Sequence, residues 1–168
     1  MSTPLEIERK YVIEKPEISV LGLHDEYTVS DIEQTYLESA QHVTHRVRAR
    51  RYSDHTVYTE TKKVRVDKMS AYEDERQIGV EEYLELIKKR KSGTVTLMKT
   101  RHTFSYLGQV FEIDVYPEWT KSAILETELD SREKEVEFPA FINVIAEVTG
   151  EKKYSNASMS QKFPDELI

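Results

Sequence analysis

The sequence contains no cysteine. That excludes disulfides, a thiolate nucleophile and any Cys-ligated zinc or iron–sulfur site. Glycine and proline are scarce, five of each in 168 residues. With no flexible linker to divide the chain, one domain over residues 1–168 is expected. No run approaches the roughly 18 to 20 apolar residues of a membrane-spanning helix. The opening MSTPLEIERK lacks the apolar stretch of an export signal, which points to the cytoplasm. Positive charge is not in surplus either: 24 Lys and Arg stand against 31 Asp and Glu, a net charge of −7. Nucleic-acid or anionic-membrane binding needs a cationic surface, so neither is an expected partner. The phosphate cradles built from backbone are missing too, since neither G-x-x-x-x-G-K-[ST] nor G-x-G-x-x-G occurs. A polyphosphate ligand would have to be gripped by side chains.

What is present is period-two alternation. Leu5, Ile7, Arg9 and Tyr11 take one face of a strand while Glu6, Glu8 and Lys10 take the other. The same alternation recurs at 31–39, 43–52, 55–63, 70–78, 94–102, 109–116 and 123–129. One segment, Gly79 to Lys91, has helical spacing instead, with Val80, Tyr83, Leu84 and Ile87 as its stripe and a Glu85–Lys89 pair. Shorter helices are expected around 139–146 and 157–163. The class is mainly β (α+β), in antiparallel hairpin order.

The polar faces of these strands carry full charges. Acid–x–acid pairs occur at Glu6/Glu8, Glu73/Glu75, Glu112/Asp114 and Glu126/Glu128; base–x–base occurs at Arg46/Arg48/Arg50 and Lys99/Arg101. Chance placement of the acids gives roughly five or six such pairs, so a single one means little and reads as the solvated face of a half-buried strand. Together they are harder to dismiss, because like charges two residues apart repel unless neighbouring strands or a ligand supply the opposite sign. A sheet closed into a barrel could turn this face inward, where carboxylates suit hard divalent cations and Arg/Lys suit a polyanion. About eight strands would enclose a small ligand, with the apolar faces outward under packed helices. The alternative, an ordinary half-buried sheet, stays open on pattern alone. Candidate phosphate ligands are Lys10, Arg46, Arg48, Arg50, Lys62 or Lys63, Lys99, Arg101 and Lys152.

The opening Glu6-x-Glu8-x-Lys10 resembles the signature strand of the CYTH proteins, the triphosphate tunnel metalloenzymes. The order of the later segments carries the match: IEQTYL, VRARR, YTETKK, YEDERQI, MKTRH, FEIDVY, LETEL and VTGEKKYSN, spanning with the opening strand about residues 5 to 160. The resemblance implies an eight-stranded antiparallel closed barrel with a charged lumen and a few packed helices. It implies metal ligation of one or two Mg²⁺ or Mn²⁺ ions by Glu6, Glu8, Glu126 and Glu128, with Glu73, Glu75 and Asp114 completing a second site or orienting water. Lys10, Arg48, Arg50, Lys62, Lys99 and Arg101 would hold phosphates, joined by Arg46 and Lys152; the catalytic set is Glu6, Glu8, Lys10, Lys99 and Arg101. Arg46/48 competes with Arg48/50 for the inner register, and Lys62 is chosen over Lys63. His102, after Lys99-x-Arg101, is placed at the tunnel mouth.

The implied activity is metal-dependent hydrolysis of the terminal phosphate of a triphosphate, inorganic tripolyphosphate first. A class IV-type adenylate cyclase, a thiamine or nucleoside triphosphatase and a non-catalytic polyphosphate-binding module are the alternatives. A small-molecule triphosphate is the expected partner, and pairing into a homodimer stays open. Other constellations fare worse. His42 and His45 point to opposite strand faces and suit no shared zinc. Ser155, Ser158 and Ser160 suit helix capping, and Trp119 suits packing beside a turn.

Overall fold

The structure, a computed structural model, describes residues 3–168. Alternating side chains and frequent β-branched residues give nine strands: β1 (Leu5–Glu14), β2 (Asp25–Leu37), β3 (Val43–Arg51), β4 (Thr56–Arg65), β5 (Ser70–Ile78), β6 (Leu97–Tyr106), β7 (Gln109–Val115), β8 (Ser122–Glu128) and β9 (Val144–Glu147). They are antiparallel in the order β5-β4-β3-β2-β6-β7-β8-β1-β9, and β5 also pairs with β1. Eight strands therefore close into a ring, with β9 as an extra strand beside β1.

Closure is split along β1. Its first residues, Leu5 to Ile7, pair with Tyr72 to Ser70 of β5. Further along, Glu8 to Glu14 pair with β8, while Tyr11 to Ile13 take up β9 on the edge that β5 has left. β9 occupies part of the segment expected to be helical at 139–146. The expected helix gives way because β1 offers unpaired backbone there.

Three helices decorate the ring: α1 (Ile18–Leu21), α2 (Val80–Ile87) and α3 (Asn156–Gln161). α2 is shorter than expected and uses a different stripe. Tyr83 is buried and Leu86 and Ile87 are half-buried against Leu37, Val47 and Ile78, while Val80 and Leu84 are about half exposed, 47% and 50%. Lys88, not Lys89, pairs with Glu85, at 2.8 Å. Ser155 caps α3 by accepting from Ser158 N at 3.2 Å.

The apolar faces point outward, as an inside-out barrel requires. Tyr11, Ile13, Phe104, Phe111, Ile113 and Leu125 form one outer core, closed by Leu21 of α1 and by Phe138, Phe141 and Ile142 of the irregular segment before β9. Phe104 and Phe111 are fully buried with ring centroids 5.6 Å apart. Each such side chain contributes about 2 kcal/mol by leaving water.

The other main core floors the ring. Val12, Leu97, Tyr116 and Ile124 pack with Trp119, Tyr154 and Met159 of the surrounding turn and C-terminal segment. That segment is strapped across by Val95 N to Ser160 O at 2.8 Å and by Trp119 Nε1 to Pro164 O at 3.0 Å. No helix among the described residues is long and apolar enough to cross a membrane.

Candidate active site in the charged lumen

Antiparallel partners share a face, so the pairing registers determine which charges meet. Glu8 lies opposite Glu128 and Lys10 opposite Glu126; Glu126 in turn faces Glu112, and Asp114 faces Arg101. Gln34 faces Arg48 and Tyr36 faces Arg46. Across the next hairpin Arg46 faces Thr61, Arg48 faces Thr59, and Lys63 faces Glu73. Glu6, Glu8, Lys10, Arg46, Arg48, Arg50, Glu73, Glu75, Lys99, Arg101, Asp114, Glu126 and Glu128 thus share the inner face. All three arginines of β3 take it, so the two competing registers merge into one.

Lys62 does not. It is exposed and pairs with His45 on the outer face, while Lys63 turns inward with its Nζ 3.4 Å from Glu73 and 3.8 Å from Glu8. Counting parity from Arg50 fails because the hairpin register sets even positions on β3 opposite odd positions on β4. His102 also faces outward, buried with its Nδ1 2.8 Å from Tyr27 Oη, and is not at a tunnel mouth. Lys152 is exposed on the 3-10 turn Lys152–Tyr154 rather than on a strand of the ring. His42 sits on the β2–β3 turn at φ 66°, and His45 faces Glu60 on the outside at 2.7 Å.

The cations fall into two groups. On β6, all three nitrogens of Arg101 are engaged by carboxylates: Nε and Nη2 donate to Asp114 Oδ1 and Oδ2 at 2.7 and 2.8 Å, and Nη1 donates to Glu112 at 2.8 Å. Lys99 Nζ lies 2.7 Å from the same Asp114 but makes no well-directed hydrogen bond. Burial pushes the Lys99 ammonium down to about 7; Asp114 opposes this, and Arg101 and Arg48 add to it. Asp114, expected as a metal ligand, is instead the buried anchor of this wall, 1% exposed, and its cationic neighbours overcome burial to hold it well below the usual carboxylate range.

On β3 the arginines have neutral neighbours. Arg48 Nε and Nη2 donate to Gln34 Oε1 at 3.3 and 2.9 Å, and Arg50 Nε donates to Ser30 at 2.8 Å. Arg46 Nε is buried without a partner. Burial beside Arg46 and Arg101 pushes Arg48 down to about 9, which leaves it charged at neutral pH. No carboxylate lies within ion-pair distance of these three guanidinium groups among the described residues.

The acids face them from β1, β5 and β8. Lys10 Nζ is 3.2 Å from Glu126; burial favours the neutral acid there, but Lys10, Arg101 and Lys99 outweigh it and hold Glu126 at about 2. Glu75 accepts from Thr61 at 2.8 Å. The remaining carboxylates repel one another. Burial, a hydrogen bond with Glu73 and the nearby charges of Glu73, Glu128 and Glu8 push Glu6 up to about 8. Burial and neighbouring acids also raise Glu8 and Glu128. Crowded carboxylates short of counter-charge are the donor chemistry of a hard divalent cation, and Glu6, Glu8, Glu73 and Glu128 fit it. As placed, no three His, Asp or Glu among the described residues are gathered tightly enough to ligate one ion.

Sequence reasoning passed over the neutral inner residues Ser30, Gln34 and Thr61, and left Glu112 without a role. Period two along β2 was the available signal. Two surface clefts, about 450 and about 590 Å³, lie by Lys121 and Ile168 and by Arg51 and Thr120, away from the acid wall.

The ring matches solved structures. The crystal structure of the inorganic triphosphatase NE1496 is 26% identical over 98% of this chain and 99% of that one, with a TM-score of 0.61. This is the triphosphate-tunnel fold of the CYTH proteins. The tunnel fold also appears in PH1819 from Pyrococcus horikoshii OT3, 21% identical over 76% of this chain and 80% of that one, TM-score 0.57. HpAC1 from Hippeastrum, described as a putative adenylyl cyclase with a dominant triphosphatase activity, shares it at 14% identity over 76% and 81%, TM-score 0.51. No protein-family model and no curated protein matches the sequence.

Proposed function

We propose that the protein hydrolyses the terminal phosphoryl group of inorganic tripolyphosphate with the help of Mg²⁺ or Mn²⁺. One observation carries this reading: inside a single ring, Arg46, Arg48 and Arg50 lack carboxylate partners while Glu6, Glu8, Glu73 and Glu128 crowd around one lysine, Lys63. A ligand that satisfies both walls is an anion carrying a cation. The likeness to a protein described as an inorganic triphosphatase supports the same choice. Tyr36 and Tyr116, the inner-face aromatics, are packed into the floor, which favours an inorganic chain over one bearing a base to stack.

Phosphoryl transfer asks for little covalent chemistry beyond alignment and charge stabilisation. Arg46, Arg48 and Arg50 would bind the non-bridging oxygens, with Lys63 between them and the acid wall. Lys99 and Arg101, held rigidly by Asp114 and Glu112, would supply positive potential as charge builds on the departing diphosphate. A divalent ion held by Glu6, Glu8, Glu73 and Glu128 would neutralise phosphate oxygens and acidify water. Water adds to the terminal phosphorus, the bridging P–O bond breaks, and orthophosphate, diphosphate and one proton result.

Product analysis with tripolyphosphate, ATP and thiamine triphosphate, each with Mg²⁺, Mn²⁺ or EDTA, tests this. EDTA-sensitive orthophosphate release, strongest from tripolyphosphate, is expected. Cyclic AMP and diphosphate from ATP would replace the reading with a cyclase, and tight binding without turnover would replace it with a polyphosphate-binding module.

A further inference from the structure

The residues of β2 and β4 directly opposite the three inner arginines of β3 are all uncharged. On one side its inner residues face Thr59 and Thr61 of β4; on the other they face Gln34 and Tyr36 of β2. The contrast with Arg101 is sharp, because that guanidinium gives its donors to two carboxylates.

Gln34 is the centre of the neutral arrangement. It is 0% exposed, so both ends of its amide must be satisfied inside the protein. Its Oε1 accepts two Arg48 donors at 3.3 and 2.9 Å, and its Nε2 donates to Tyr36 Oη at 3.1 Å. Arg48 can only donate, so it takes the amide oxygen, which leaves Nε2 to donate to Tyr36 Oη; that second contact tethers the amide. A guanidinium has five N–H donors, so three of Arg48's remain for another ligand. A glutamate at 34 would have nearly the same shape but would form the neutralised pair that Asp114 forms with Arg101.

We propose that Gln34 is a positioning residue that holds the Arg48 guanidinium in plane while leaving its charge available to phosphate. This rests on the reading of the lumen as a triphosphate site. Gln34 does not touch the substrate; it acts through Arg48. Neutrality at position 34 then sets the anion affinity of the β3 wall.

The test is calorimetric titration of inorganic tripolyphosphate into the full chain in EDTA, at several salt concentrations, with a thermal melt of each variant. Gln34→Glu is expected to weaken binding by about tenfold, as loss of a charge-assisted contact would. Its affinity should also depend less steeply on salt, since one cation of the wall is neutralised. Gln34→Met keeps neutrality but frees Arg48, so its affinity should fall several-fold with an unchanged salt dependence. A merely structural role would lower the melting temperature and leave the salt dependence alone in both variants. Wild-type-like binding and salt dependence in folded Gln34→Glu overturns the proposal. If Gln34→Glu does not fold, wild-type-like affinity in Gln34→Met overturns it. If the wild-type chain itself does not bind tripolyphosphate, the reading of the lumen fails, a result distinct from either.

Discussion

Lys10 Nζ and Glu126 Oε1 lie 3.2 Å apart between directly opposed residues of β1 and β8. Both side chains are largely buried, 13% and 14% exposed, and Lys10 Nζ also donates to Tyr154 O at 3.1 Å. One ammonium thus ties the acid wall to the C-terminal floor. Lys10→Met leaves the Glu126 carboxylate buried without its partner, and should cost about 3 kcal/mol in urea denaturation. Adding Glu126→Gln should recover much of that loss. A double variant no more stable than Lys10→Met would show that the pair is not the cause.

The inward turn of Lys63 predicts a clear asymmetry between neighbours. Lys63→Ala should reduce tripolyphosphate turnover at least about tenfold, the scale of one charge-assisted contact. Lys62→Ala, on the outer face, should stay within about twofold. Steady-state kinetics on both variants checks the register of β4, and the reverse result would place Lys62 in the lumen.

The Glu6 carboxyl has its pKa raised from 4.5 to about 8 by burial and the surrounding acids. The unfolded chain releases this proton near pH 4.5 and the folded chain retains it to about 8, so in that window the folded state binds more protons. Stability in EDTA should therefore fall as pH rises from about 5 to about 8. The raised Glu8 and Glu128 act in the same direction, whereas Glu126, held at about 2, loses its contribution only at lower pH. Glu6→Gln should flatten the slope, as measured by urea midpoints at several pH values.

The same crowding predicts the effect of metal. Mg²⁺ or Mn²⁺ at 100 times its Kd should stabilise the fold by about 2.7 kcal/mol, most strongly at high pH where the carboxylates are ionised. Glu8→Gln and Glu128→Gln should abolish both the stabilisation and the hydrolysis while remaining folded. A metal-induced melting shift that survives in both would move the ion elsewhere.

Gly150 locks the floor to the ring. Its φ is +73°, and a Cβ there would meet Lys68 Cβ at 2.6 Å and Lys68 Cα at 2.8 Å. Gly150→Ala should destabilise by about 2 kcal/mol from backbone strain and overlap. Gly79→Ala, with nothing within 4 Å of the added Cβ, should cost only a few tenths of a kcal/mol. Urea midpoints of the two variants test the difference.

Much of the fold was legible in particular residues. Glu6-x-Glu8-x-Lys10, Arg46-x-Arg48-x-Arg50 and Lys99-x-Arg101 each put a charge at every second position, and a charged face of that kind is costly unless another strand or a ligand answers it. The helix expected around 139–146 did not form, because backbone pairing with β1 takes Val144–Glu147 as a strand. Nothing local marked that edge as vacant; it exists only because β5 leaves β1 after Ile7.

By itself the sequence determined which residues share a face within each strand, since period two is a property of the single extended chain. It therefore carried the charged ladders and, through their order, the likeness to the tunnel proteins. Only the tertiary structure decided how the ladders meet. Register across each hairpin placed Lys63 inside and Lys62 outside, tied Asp114 to Lys99 and Arg101, and gave Arg48 the neutral Gln34. Those outcomes depend on one-residue choices of pairing between strands, and such a shift reverses every face without changing the alternation within any strand.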